Sequence, residues 1–116
     1  MKKTLTLLFG LTLLLGICPA ANAADPIEIA LLYPLSGPLA DPGNRAKAAC
    51  EVAAEVINGT YDLPGIPYAK TQGVPNKGGA KVLLKFYDTQ GSPEVGKAET
   101  ERILQEGKAK LIIGAY

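Results

Sequence analysis

The residues best placed to do chemistry in this chain are few. Ser36 and Gly37 sit in the run Pro34-Leu35-Ser36-Gly37-Pro38, Asp88 closes an apolar stretch, and Cys50 lies among alanines. Their pattern fits binding better than reaction. The chain contains no His, so it has no His-based triad, His general base or His zinc ligand. Cys18 and Cys50 show no metal-ligand spacing, and Cys50 has no neighbouring base to activate it. Asp88, at the end of a strand, offers a carboxylate for a base or a metal ligand, but reads rather as a solvated or turn-bonding loop residue. Gly37 and Gly43 are spaced wrongly for a dinucleotide fingerprint, and no P-loop lysine is present. No enzymatic activity, cofactor or metal is therefore expected. Ser36 offers a hydroxyl that bonds a polar solute, and Gly37 lets the backbone come close to it.

The elements around these residues alternate. Ile27 to Tyr33 is a nearly continuous apolar run with Glu28 at its start, which fits a strand buried on both faces. Pro34 ends it, and a Gly/Pro-rich loop follows over 34–43. A helix is expected over 44–58, with Ala46, Ala49, Cys50, Ala53, Val56 and Ile57 on one face. Its start is open between Asp41 as cap, with Pro42 at the first helical position, and Asn44 as cap. Residues 59–79 are long for a link inside a compact domain, either a functional loop or, the favoured reading, a surface excursion. The Asn58-Gly59-Thr60 triplet formally matches a glycosylation sequon, but it reads as a helix end and turn. Residues 80–88 form a second strand, with Lys81 and Lys85 on one face, as near a sheet edge. Ser92-Pro93-Glu94 is a helix-start signature. The helix it opens should bury Val95, Ala98, Arg102 and Ile103. Lys97–Glu101 and Arg102–Glu106 pairs are expected along its outer side. Gly107 ends it, and Leu111-Ile112-Ile113 is a third strand.

Strand, helix, strand, helix, strand predicts an open parallel α/β sheet with right-handed crossovers. In such sheets ligands sit outside the carboxyl ends of the strands, at the switch point. With the order 2-1-3, the candidate site lies between Ser36, Gly37, Asp41 and Pro42 on one side and Gly114, Ala115 and Tyr116 on the other. A solute carboxylate is expected there, on backbone N–H groups at a helix N-terminus.

Length and charge bound the reading further. The chain has 116 residues and a formal charge of +1, enough for one small domain and without the basic footprint of a nucleic-acid partner. Lys2 and Lys3 precede a leucine-rich apolar run over 4–17, and Ala21-Asn22-Ala23 is a small-x-small cleavage site. Residues 1–23 are therefore expected to be a secretory signal peptide. Cys18 leaves with it, and Cys50 remains as a single thiol, read as a small buried hydrophobe.

The pieces IALLYPLSGPLADPG, AACEVAAEVIN, KVLLKFYDTQGSPEVGKAETERIL and LIIGAY occur in order. Together they resemble the start of the type I periplasmic solute-binding proteins, in the leucine/isoleucine/valine-binding group that serves ABC importers. The resemblance covers residues 27–116 and about the first quarter of that family's two-lobed fold. Residues 24–116 are accordingly expected to be the N-terminal part of a first lobe. The resemblance implies a periplasmic receptor that clamps an amino acid or similar small solute between two lobes and hands it to an inner-membrane ABC permease. A sensory domain of the same fold, feeding a signalling partner, is the alternative. The resemblance also implies ligand contacts from the 36–43 loop. Pro42 stands there at a position where an aromatic often packs on the ligand.

Overall fold

The structure, a computed structural model, describes residues 24–114. The expected leader at 1–23, and Ala115 and Tyr116, lie outside them. Three strands, β1 (Ile27–Tyr33), β2 (Val82–Asp88) and β3 (Leu111–Gly114), and two helices, α1 (Ala40–Asn58) and α2 (Pro93–Glu106), alternate along the chain. All strand pairing is parallel, in the order β2-β1-β3. This is the open parallel α/β sheet that the sequence predicts, with β2 at an edge.

The apolar run of β1 takes the central position because it alone buries both faces. Ala30, Leu31 and Leu32 are all but inaccessible. On one face Leu32 and Ala30 join Tyr87 of β2 and Ile103 of α2, with Ala109 packed against them. On the other, Ile29 and Leu31 lie with Leu84 and Ile113 opposite Cys50 and Ile57 of α1. One helix on each face makes the sheet doubly wound. Lys85 reaches an ion pair with Glu106 of α2, whose carboxylate also accepts from the Tyr87 hydroxyl at 3.2 Å. The Lys85 hydrogen bond chiefly holds the Glu106 carboxyl below its ordinary value.

The helices depart from the sequence reading in position more than in kind. α1 begins at Ala40, not 44, and Leu39 precedes it with no side-chain cap. Asp41 and Pro42 therefore occupy its first turn, where a missing proline N–H costs nothing because those donors have no partner within the helix. Asn44 does not cap. Its side-chain amide donates to the carbonyls of Leu35 at 3.1 Å and Ala40 at 2.8 Å. The inner face of α1 is rotated from the expected one: Gly43 and Ala54 are buried, and Ala49 and Ala53 are exposed. In α2, Ser92 caps Val95 N–H as expected and Gly107 closes the helix in the left-handed region. Gly96, not Ala98, faces the sheet. Arg102 is exposed, pairs with Glu99 at 2.7 Å rather than with Glu106, and stacks over the Tyr87 ring at 4.9 Å. The Lys97–Glu101 pair is present at 4.0 Å.

Residues 59–79 form an ordered excursion of two short helical turns, Pro67–Lys70 and Pro75–Lys77. It closes on itself through the Val74–Ala80 bridge and lies at the amino ends of the strands, opposite the candidate site. Asn58 anchors this end. Its side chain accepts from Val82 N–H and donates to Val82 C=O, both at 2.7 Å, standing in for the strand that the edge of β2 lacks. Asn58→Ala should remove both bonds and destabilise the protein by about 1–3 kcal/mol, read as a lower midpoint in urea. Asn58→Asp should lose nearly as much, because a carboxylate has no proton for the carbonyl. An unchanged midpoint in both would show that water replaces the side chain at no cost.

Candidate functional site

The carboxyl ends of β1 and β2 carry the loops that the sequence singles out. Pro34 is fully buried and turns the chain out of β1. Gly37, at φ +79, folds it back so that Ala40 N–H donates to Gly37 C=O at 3.2 Å and α1 begins. A Cβ on Gly37 would stand 3.1 Å from the Gln90 carbonyl. The close approach that glycine permits is thus to the neighbouring β2–α2 turn.

Asp88 joins the two loops. Its Oδ1 accepts from Leu35 N–H at 2.8 Å, Ser36 N–H at 3.3 Å and Gln90 N–H at 2.8 Å, and its Oδ2 accepts from the Ser36 hydroxyl at 2.6 Å. Burial works to raise its pKa, but the bonds from the Ser36 hydroxyl and the Gln90, Leu35 and Ser36 amides outweigh it. The carboxyl is held below its ordinary value, and Asp88 is ionised at neutral pH. The Asp88–Gln90 bond is the turn-bonding role read from sequence. The longer reach, to Leu35 and Ser36, is not visible locally, because the partners are more than fifty residues apart.

Of the other predicted residues, Asp41 is exposed in the first turn of α1 and pairs with Arg45 at 3.1 Å. Pro42 is exposed beside it. Gly114 is not the start of an exit loop but the last residue of β3, paired with Leu32 at φ +112. A Cβ there would meet Leu32 O at 2.2 Å. The switch point between β1 and β3 is therefore bounded by Gly114 and by the loop that leaves Leu32 and Tyr33.

A separate groove of about 600 Å³ lies between Leu39 and the start of α2, with Thr89, Ser92, Gly96 and Thr100 in its walls. It contains none of the predicted residues. Thr89 is buried, and its hydroxyl has no hydrogen-bond partner among the described residues, a feature that sequence reasoning does not find. Among those residues no group of three or more Cys, Asp or Glu could hold a metal ion, and no helix is long and apolar enough to cross a membrane.

A parallel sheet in the order 2-1-3, a helix on each face and a Gly/Pro-rich loop leaving its central strand define a doubly wound α/β fold with that loop at the carboxyl end of the sheet. The chain belongs to the periplasmic binding protein family, whose profile matches residues 26–116. It is 35% identical over 100 residues to Leu/Ile/Val-binding protein homolog 3 of Brucella melitensis, covering 86% of this chain and 23% of that protein. It is 30% identical over 117 residues to the leucine-, isoleucine-, valine-, threonine- and alanine-binding protein of Pseudomonas aeruginosa, covering 98% of this chain and 27% of that protein. A Leu/Ile/Val-binding protein of Rhizobium johnstonii is 30% identical over 112 residues, 97% of this chain and 25% of the relative. The chain spans about a quarter of the length of these curated relatives.

Proposed function

We propose that residues 24–116 are the start of the first lobe of a periplasmic receptor for branched-chain or related small amino acids, which delivers its solute to an ABC permease. The observation that carries this reading is the family match together with relatives named for leucine, isoleucine and valine. The geometry supports it: the Ser36 loop is fixed to two strands at the switch point, where a small solute is held in folds of this type. The solute rests between Ser36, Gly37, Asp41 and Pro42 and the segment from Gly114 to Tyr116, and a second lobe closes over it. The receptor does no chemistry on the solute.

Export follows from the leader. Residues 1–23 direct the chain out of the cytoplasm, and cleavage falls between Ala23 and Ala24. N-terminal sequencing of the periplasmic product should begin at Ala24; an intact Met1, or a lipid on Cys18, would contradict this. The solute is tested by calorimetry on the full-length polypeptide that carries these residues. Saturable binding of leucine, isoleucine or valine is expected. No heat with these or any other amino acid would remove the reading.

A further inference from the structure

The groove between Leu39 and the start of α2 holds a buried hydroxyl without a partner. Thr89 is 3% exposed, and its Oγ1 has no hydrogen bond among the described residues. Native structures rarely leave a buried hydroxyl so. The other hydroxyls in the walls are engaged. Ser92 Oγ donates to Glu94 and accepts from Val95 N–H, and Thr100 Oγ1 donates to Gly96 C=O at 2.8 Å. The groove runs along one flank of α2. Arg102 and Glu106 mark the flank toward β2, where they meet Tyr87 and Lys85. Pro93, Lys97, Thr100 and Glu101 line the groove from the other flank, toward β3. Leu104 continues their row one turn on and is 66% exposed. β3 itself is an open edge, with Leu111, Ile112 and Ile113 all exposed.

We propose that the groove is the seat of the segment that follows β3 in the full-length polypeptide: the chain leaving Gly114 supplies the hydrogen-bond partner of Thr89, and the helix it enters packs on Thr100 and Leu104. This rests on the receptor reading above, under which the polypeptide continues beyond residue 116, since this chain spans about a quarter of the curated relatives' length. The hand of the crossovers fixes the face. From β1 to β2 the chain steps one way across the sheet, with α1 on one face. From β2 to β3 it steps the other way, with α2 on the opposite face. A further parallel strand on the open side of β3 continues the second direction, so a right-handed crossover brings its helix to the face of α2. That helix runs beside α2, along the flank that carries the groove. Thr89 then ties the β2–α2 turn to the exit of β3.

A crystal structure of the full-length polypeptide tests this without any solute, so calorimetry with amino acids decides the receptor reading separately. A polar atom of the segment after Gly114 within about 3.2 Å of Thr89 Oγ1 is expected, with a helix covering Leu104. A groove filled instead by water, a small molecule or a second copy overturns the proposal. In urea, Leu104→Glu should lower the midpoint of the full-length polypeptide by roughly 0.5 M or more. Ala98→Glu, at an exposed position on the side of α2 away from the sheet, should leave it nearly unchanged. Thr89→Val, which keeps the shape and loses the hydroxyl, should also lower the midpoint, and Thr89→Ser should restore most of the loss. Midpoints as high as wild type in both Leu104→Glu and Thr89→Val would overturn the proposal.

Discussion

Gly43→Ala is expected to destabilise the protein by about 2–3 kcal/mol, although alanine is the better helix former by about 1 kcal/mol. The reason is a single contact. A Cβ on Gly43 would stand 1.9 Å from the carbonyl oxygen of Pro34 and 2.7 Å from its carbon. Both are backbone atoms at the buried end of β1, so no flexible side chain can swing away. α1 must lift from the sheet, or the chain must leave β1 by another path. Either movement also shifts Leu35 and Ser36, so solute affinity should fall together with stability.

The control separates this contact from a general cost of losing glycine. Gly65 lies at φ +78, and a Cβ added to it would have nothing within 4 Å. Gly65→Ala should cost only the left-handed backbone penalty of about 1–2 kcal/mol and leave affinity unchanged. Urea unfolding of both variants, with calorimetry on the folded proteins, reads the difference. A Gly43→Ala protein as stable as wild type would mean that the helix can move outward freely, against the reading of Gly43 as a point of forced approach.

The same contact shows why the sheet is legible in the sequence and the seating of its helices is not. The apolar run of β1, Lys85 on the edge strand β2 and the Ser92-Pro93-Glu94 start are local signals, and each lies where the pattern places it, although β2 begins at Val82 and leaves Lys81 outside it. A count of apolar residues places Cys50 and Ile57 toward the sheet correctly but includes Ala49 and Ala53, which are exposed, and omits Gly43 and Ala54, which are buried. Burial is decided by which position comes nearest the strand, and that is Gly43. Pattern alone leaves the start of α1 open between Asp41 and Asn44 as caps; the reading with Pro42 in the first turn comes nearer, because a proline's lost donor is harmless there, but the helix begins one residue before Asp41. At the site, Ser36 and Gly37 stand out from the loop that leaves β1. Their immediate partners, Asp88 and Gln90, come from a strand end more than fifty residues away in the chain. No local pattern carries that pairing, so the direction of the Ser36 hydrogen bond is not legible.

Asp88→Ala should have the largest effect on binding. It removes the acceptor for Leu35 N–H, Ser36 N–H, Gln90 N–H and the Ser36 hydroxyl together. Ser36 and Gln90 are exposed, so water takes up much of what is lost, and the stability cost should be about 2–3 kcal/mol rather than the sum of four bonds. Affinity has no such relief. The loop loses its tie to β2, so a solute held at this end of the sheet should bind roughly tenfold or more weakly. Asp88→Asn separates the two effects. Its carbonyl oxygen can still accept from the backbone amides and should recover much of the stability. Its NH₂ group cannot accept from the Ser36 hydroxyl, so the tie to Ser36 Oγ is not restored and affinity should recover only in part. Near-normal affinity in Asp88→Asn would show that the backbone amides alone hold the loop and that the Ser36 hydroxyl bond is dispensable. The pH dependence gives an independent reading. The Asp88 carboxyl is held below its ordinary value of 3.8 in the folded protein, so the folded state favours its ionised form. Its contribution to stability is fully present above that ordinary value and is lost as pH falls through the depressed folded value. The stability gap between wild type and Asp88→Ala should therefore be level through neutral pH and narrow only on the acid side of 3.8. A gap that narrowed on the alkaline side instead would assign the effect to another group.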